Sequence, residues 1–322
     1  MIESGYKPTR TVHLSFVPDE EIGGADGMGR LLLTEEWKAL NVGVALDEGL
    51  ANPDDAFTVF YGERSPWWLL MKASGPTGHG SRFIQNTATS KLINIANKGL
   101  AFRKEQEELL GHGGGCAHSQ AKKLGDVTTL NLTMLKAGVT SDNGNTYALN
   151  VIPTEAQCGF DVRLTPNQDL EEFKKKLDGW VEPECSADGK VTWEFAPWTQ
   201  PLSSHYVTST DAAENPWWGV LSSCIAEKVG KEIVKEIFPA ATDSRFVRQL
   251  GIPAFGFSPM ANTPILLHEH NEYLDEGVFL EGIEVYVSLI PAFADATHKD
   301  PVVHTPANGA TNGSAAKRAR VE

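Results

Sequence analysis

Between Trp67 and Phe195 the apolar pattern changes period in one fixed order, and that order leaves few folds open. Trp67 to Ala73 reads as a strand, Ala88 to Leu110 as a long helix, and Val127 to Leu135 and Ala156 to Leu164 as two further strands. Leu170 to Val181 then reads as a second helix and Lys190 to Phe195 as a last strand. The sum is β-α-β-β-α-β, the ferredoxin-like α+β unit.

The sequence on either side has a different texture. Thr11 to Val17 is an apolar, β-branched run that predicts a strand, and it empties into Asp19-Glu20-Glu21-Ile22-Gly23-Gly24. A helical pattern around Gly29 to Leu40 precedes a short buried-type strand, Val42 to Leu46, that ends at Asp47. After Asn215 the pattern resumes with a helix over Pro216 to Val229, an extended Glu236 to Phe238, a helix over Asp243 to Gly251 and a strand over Ile252 to Phe257. A last helix, Gly277 to Ile290, is expected to stop at Pro291. Strand-helix-strand with acids at the strand ends is the layout of an open α/β sheet that gathers ligands at its carboxyl edge. The expected organisation is an α/β catalytic domain split between residues 1–66 and 197–300, an inserted domain at 67–196, and a disordered tail at 301–322.

Composition limits the partners. The chain has 322 residues, 41% hydrophobic and 22% charged, with a net charge of −14 that would repel a phosphate backbone, so no nucleic-acid partner is expected. Cys116, Cys158, Cys185 and Cys224 form no CxxC pair, which predicts reduced thiols. Residues 1–10 are polar, and no apolar run reaches about 18 residues without charge, so a cytoplasmic chain with no membrane partner is expected. The basic cluster Lys317 to Arg320 reads as a solvated terminus or as an import signal.

Three places can carry chemistry. Neighbouring side chains diverge, so of Glu20 and Glu21 one can hold a metal while the other faces a water; an acidic first turn of a helix would look the same. Asp47 adds a hard oxygen donor at a strand end, where a turn or cap residue is the alternative. In the polar loop Leu267-His268-Glu269-His270 one imidazole is a candidate ligand. Arg245 reads equally as a substrate-site cation and as half of a structural ion pair, and the pairs Trp67-Trp68 and Trp217-Trp218 read as packing.

Taken together, seven blocks resemble the aminoacylases, the zinc-dependent N-acyl-L-amino-acid amidohydrolases. They are Phe16 to Gly24, Ala45 to Ala51, Ser65 to Trp68, Gly78 to Phe83, Asn150 to Pro153, Ala241 to Arg245 and Leu266 to His270, and the resemblance runs over residues 10–296. It implies an open α/β zinc-peptidase-like catalytic domain with an inserted ferredoxin-like dimerisation domain. It implies that Glu20 is the general base toward the attacking water and that Glu21, Asp47 and His268 are zinc ligands. His79 would stabilise the oxyanion, and Asn150 and Arg163 would hold the substrate carboxylate, all three reaching the site of the neighbouring subunit in a homodimer.

One departure matters. The family's other two ligands, a histidine in a His-x-Asp motif and a bridging aspartate, lie upstream of the Pro-Asp-Glu-Glu block, and only nineteen residues precede Glu20 here. The catalytic domain is therefore expected to be incomplete: a truncated form of an aminoacylase, or a catalytically inactive dimerising subunit.

Overall fold

The computed structural model describes residue 3 and residues 5–111, 122–142, 144–197, 199 and 201–298; the expected tail, its basic cluster and Cys116 lie outside the described residues. In chain order the elements are α1 (Met28–Leu31), α2 (Glu35–Leu40), β1 (Ala45–Asp47), β2 (Ala56–Glu63), β3 (Ser65–Ser74), β4 (Gly78–His79) and α3 (Ala88–Gly111). There follow β5 (Thr129–Ala137), β6 (Val151–Ile152), β7 (Glu155–Leu164), α4 (Leu170–Val181) and β8 (Val191–Phe195). The chain closes with α5 (Pro216–Cys224), β9 (Glu232–Phe238), α6 (Ser244–Gln249), β10 (Ala254–Phe257) and α7 (Glu276–Ala294).

One sheet has the order β5-β7-β3-β8, with every pairing antiparallel, which is the spatial order expected of the β-α-β-β-α-β unit. Its inner face follows the period-2 rule: in β3 Trp67, Leu69, Met71 and Ala73 point inward. On α4, Leu170, Phe173, Leu177 and Val181 are buried at helical spacing, and Asp169 caps its start by accepting from the Glu172 N–H at 2.7 Å. Together they form one apolar core with α3. β4 and β6 pair as a separate two-stranded ribbon that puts His79 opposite Val151.

The other sheet is mixed, with the order β1-β10-β2-β9. β1 runs parallel to β10 and β2 parallel to β9, while β10 and β2 are antiparallel. Its core joins Phe57, Val59, Phe255 and Phe257 to Trp217 and Leu221 of α5 and to Leu289 and Phe293 of α7. Arg64 ties the two sheets, donating to Pro239 O at 2.7 Å and to Thr129 Oγ1 at 3.0 Å.

Several expectations give way. Thr11 to Val17 is not a strand: among the described residues no strand lies beside it to complete a ladder, and Val12, Leu14 and Phe16 are all exposed. The helix expected over Gly29 to Leu40 is two short helices, because Thr34 Oγ1 accepts from the Trp37 N–H at 3.1 Å and starts α2 anew. β1 begins only at Ala45, and β9 begins at Glu232, before the expected Glu236. β2 is a strand that the sequence pattern does not predict, because nearly every residue of it is buried and it shows no alternation. α7 continues through Pro291, whose missing N–H is offset by packing in the last turn, where Phe293 stacks on Trp217 with centroids 5.5 Å apart.

α7 has two further features. Among the described residues it is the helix long and apolar enough, by length and composition, to cross a membrane (mean hydropathy 1.5), yet it carries Glu281 and Glu284 and seats Val285, Leu289 and Phe293 in the core. Its end is clasped by the start of the chain: Tyr6 Oη donates to Asp295 at 2.8 Å, the Thr9 N–H to Asp295 at 3.0 Å, and the Arg10 N–H to Ala294 O at 2.8 Å.

Candidate active site

Glu20 and Glu21 lie on a single 3-10 turn, Glu20–Ile22, closed by the Gly23 N–H donating to Glu20 O at 2.9 Å. Gly23 (φ 104) and Gly24 (φ 61) then turn the chain back in conformations that side chains disfavour. At Gly24 a β-carbon would stand 2.4 Å from Asp243 Oδ1, so only glycine lets this turn approach α6. The turn is thereby pressed against Asp243, Phe246 and the guanidinium of Arg245.

Asp47, the last residue of β1, is held from α6: its Oδ2 accepts from both the N–H and the Oγ–H of Ser244, each at 2.8 Å. Arg245 donates to Thr242 O and to Gly23 O, both at 2.8 Å, which links α6 to the acidic turn. Its guanidinium is thus engaged by backbone carbonyls, with Glu63 Oε2 4.0 Å from Nη1. His268 adopts φ 61, a left-handed backbone rare for a non-glycine residue, and its Nε2 lies 3.6 Å from Glu21 Oε2.

The electrostatics record a surplus of negative charge. Burial pushes the Glu20 carboxyl up, and Asp243 and Glu21 add to the rise. Glu48 is pushed up to about 7, first by burial and then by Glu20, Asp47 and Glu21. Asp243 is pushed up to about 6 by burial, with Arg245 opposing and Asp47, Asp19 and Glu48 reinforcing. Asp19 Oδ1 and Asp243 Oδ1 are buried without a hydrogen-bond partner. Carboxylates and an imidazole at one edge, under mutual repulsion, suit a divalent cation in kind and in charge. In number the set is short: among the described residues no group of three or more His, Cys, Asp or Glu is arranged to hold a metal.

Of the remaining predicted residues, Arg163 lies on β7 of the β5-β7-β3-β8 sheet, and His79 and Asn150 lie at the β4–β6 ribbon. The Gly80 N–H donates to Asn150 O at 2.8 Å, so the β4–β6 ribbon brings His79 and Asn150 together. His79 Nδ1 accepts from the Ser81 N–H at 3.2 Å, which leaves the ring proton on Nε2. Arg163 is occupied within its own strand, paired with Asp161 at 2.7 and 3.0 Å and lying over the Trp68 ring at 5.3 Å. No described hydrogen bond or ion pair joins His79, Asn150 or Arg163 to the Glu20 turn. Sequence reasoning missed Glu48, Asp243 and Ser244 as parts of the acidic edge. The signal was present in Asp47-Glu48 and in Ala241 to Arg245, a block matched without roles for its first four residues.

Comparison with known proteins decides the family. Residues 1–292 match Peptidase family M20/M25/M40. The chain is 52% identical over 293 residues to aminoacylase-1 of Dictyostelium discoideum, covering 90% of this chain and 68% of that protein. The chain belongs to Peptidase family M20/M25/M40, as a homologue of the aminoacylases. Aminoacylase-1A of Rattus norvegicus is 46% identical over 291 residues, again 90% of this chain and 66% of that one. The chain thus spans about two-thirds of the length of the curated relatives it matches. Among solved structures, the YXEP protein of Bacillus subtilis, described as a dinuclear metal-binding peptidase from the M20 family, superposes with a TM-score of 0.54 at 17% identity, over 86% of this chain and 63% of that one. That likeness carries the mixed α/β fold of the M20 family.

Proposed function

We propose that this chain serves the hydrolysis of N-acyl-L-amino acids to a carboxylate and a free amino acid, with Glu20 as general base and Glu21, Asp47 and His268 as zinc ligands. The observation that carries the reading is the approach of Glu21 Oε2 to His268 Nε2 at 3.6 Å, beside a Glu20 carboxyl raised by burial. A zinc ion held by these groups supplies a Lewis acid for the amide carbonyl and the attacking water.

The chain's own residues would do the rest. Glu20, its carboxyl raised by burial, takes a proton from the attacking water and returns it to the leaving nitrogen. His79, with its proton on Nε2, donates to the developing oxyanion. Asn150 and Arg163 orient the substrate carboxylate; for Arg163 this requires sharing its guanidinium with Asp161.

The geometry of the ribbon supports a homodimer in which His79 and Asn150 serve a neighbouring site, through a domain spanning 67–196. Phe83 is fully exposed and Leu149 is 93% exposed, so apolar side chains flank both residues. A cytoplasmic location follows from the aminoacylase reading, and neither nucleic acid nor membrane enters it.

The test is release of free amino acid from N-acetyl-methionine by the purified chain with zinc added. Slow turnover that Glu20→Gln abolishes is expected. No release at any zinc concentration would leave the other reading, a catalytically inactive dimerising subunit, which the short donor set favours.

A further inference from the structure

One buried carboxylate stands outside the acidic edge, in contact with the helix that borders it. Glu63, the last residue of β2, is 7% exposed. Its Oε1 accepts from Arg248 Nη1 at 2.7 Å and its Oε2 accepts from the Thr242 N–H. Arg248 in turn donates to Ala254 O from Nε at 3.1 Å and from Nη2 at 3.0 Å, and to Phe60 O at 3.3 Å. Arg245 Nη1 lies 4.0 Å from the same carboxylate. A buried charge with this many partners costs less than one without them, but removing one oxygen's acceptor role would orphan a donor.

The donor that Glu63 captures is what gives it reach. Thr242 begins the turn into α6, and its carbonyl accepts from Arg245 while its Oγ1 accepts from the Ser244 N–H at 3.3 Å. Ser244 then holds Asp47 Oδ2, and Arg245 holds Gly23 O of the turn that carries Glu20 and Glu21. With Oδ2 occupied twice, Oδ1 is the oxygen of Asp47 left to meet a cation.

We propose that Glu63 is a positioning residue of the metal site: by fixing the Thr242 N–H and α6 through Arg248, it makes Ser244 present Asp47 with one oxygen free and makes Arg245 hold the acidic turn in place. The inference rests on the reading of Asp47 as a metal ligand. It assigns Glu63 no contact with substrate or metal.

In Glu63→Gln one of the two donors, Arg248 Nη1–H or Thr242 N–H, meets an amide NH2 in place of an oxygen, at nearly unchanged volume. Zinc affinity of the full chain, titrated against a chromophoric chelator, is expected to fall about 10- to 100-fold, the usual effect of losing a partner behind a metal ligand. Val59→Ala, in the same strand and fully buried, is the control for lost stability alone and should leave zinc affinity within about twofold. Ser244→Ala should lower affinity similarly, and Glu63→Gln added to it should lower it little further, because both act on one carboxylate. Amide exchange over residues 240–246 reads the loop directly, even in a weakened variant, and should quicken in Glu63→Gln beyond the Val59→Ala control. Wild-type affinity and exchange in Glu63→Gln, or losses additive with Ser244→Ala, would overturn the proposal. Wild-type affinity in Asp47→Asn would instead overturn the reading beneath it.

Discussion

Glu21 and His268 come from opposite ends of the chain, yet the Glu21 Oε2 and the His268 Nε2 stand 3.6 Å apart on a loop whose histidine holds a left-handed backbone. Strain at a ligand position is retained when the ligand's placement matters more than local comfort. His268→Asn, a residue that tolerates this conformation, should therefore raise thermal stability of the metal-free chain by up to about 1 kcal/mol while weakening zinc binding at least tenfold. Calorimetry and a zinc titration on the same preparation check both halves; loss of stability with unchanged zinc binding would contradict the assignment.

Burial of the acidic edge, reinforced by repulsion within it, sets a pH dependence. Glu48 and Asp243 have folded-state values near 7 and 6, above their ordinary 4.5 and 3.8, and Glu20 is shifted the same way. The folded state holds these protons more tightly than the unfolded one, so the contribution is complete below about pH 4 and is lost as pH rises through 6 to 7. In a chelator-containing buffer the chain should melt a few degrees higher at pH 5.5 than at pH 8, a modest shift because Glu48 is only partly shielded from solvent. Glu48→Gln should flatten that slope. A melting temperature that climbs steadily toward pH 8 is the contrary result.

Glu20→Gln separates base from ligand. If Glu21 is the metal-holding member of the pair, zinc affinity should stay within about threefold of wild type while release of amino acid from N-acetyl-methionine disappears. The variant should also melt slightly higher at pH 8, since one source of repulsion on Glu48 is gone. Zinc lost together with activity would make Glu20 a ligand.

The apolar flanks of the β4–β6 ribbon make the dimer testable. Light scattering should give a dimer for the wild-type chain at micromolar concentration, and Phe83→Asp with Leu149→Asp should shift it toward monomer without lowering the melting temperature by more than a degree or two. A wild-type monomer would count against a partner's use of His79.

How far the sequence reached depended on burial. The strands and helices of the β5-β7-β3-β8 sheet were legible because one face of each is wet, so period and boundary both show, as in Trp67 to Ala73 and Leu170 to Val181. β2 was illegible for the opposite reason: covered on both faces, it has no alternation. Thr11 to Val17 had the composition of a strand, but a strand is a relation to a neighbour, and composition cannot supply one. At the site, Glu20, Glu21, Asp47 and His268 stood in blocks that chemistry singles out. Glu63 did not, because an isolated acid at the end of an apolar run looks ordinary until its partners are known, and Ser244, though inside the matched Ala241 to Arg245 block, shows no role until its distant partner Asp47 is known.

The clasp at the end of α7 has a consequence for chain connectivity. Because Tyr6, Thr9 and Arg10 bind Asp295 and Ala294 side by side, the two ends of the described fold meet at one point on the surface. A short flexible linker in place of residues 299–322 would close the polypeptide into a ring at little entropic cost, and the backbone could then be reopened at the exposed turn around Asp188. Such a rearranged chain would keep both sheets and the acidic edge while moving its free ends to the exposed turn before β8, where a reporter could be attached without touching the clasp.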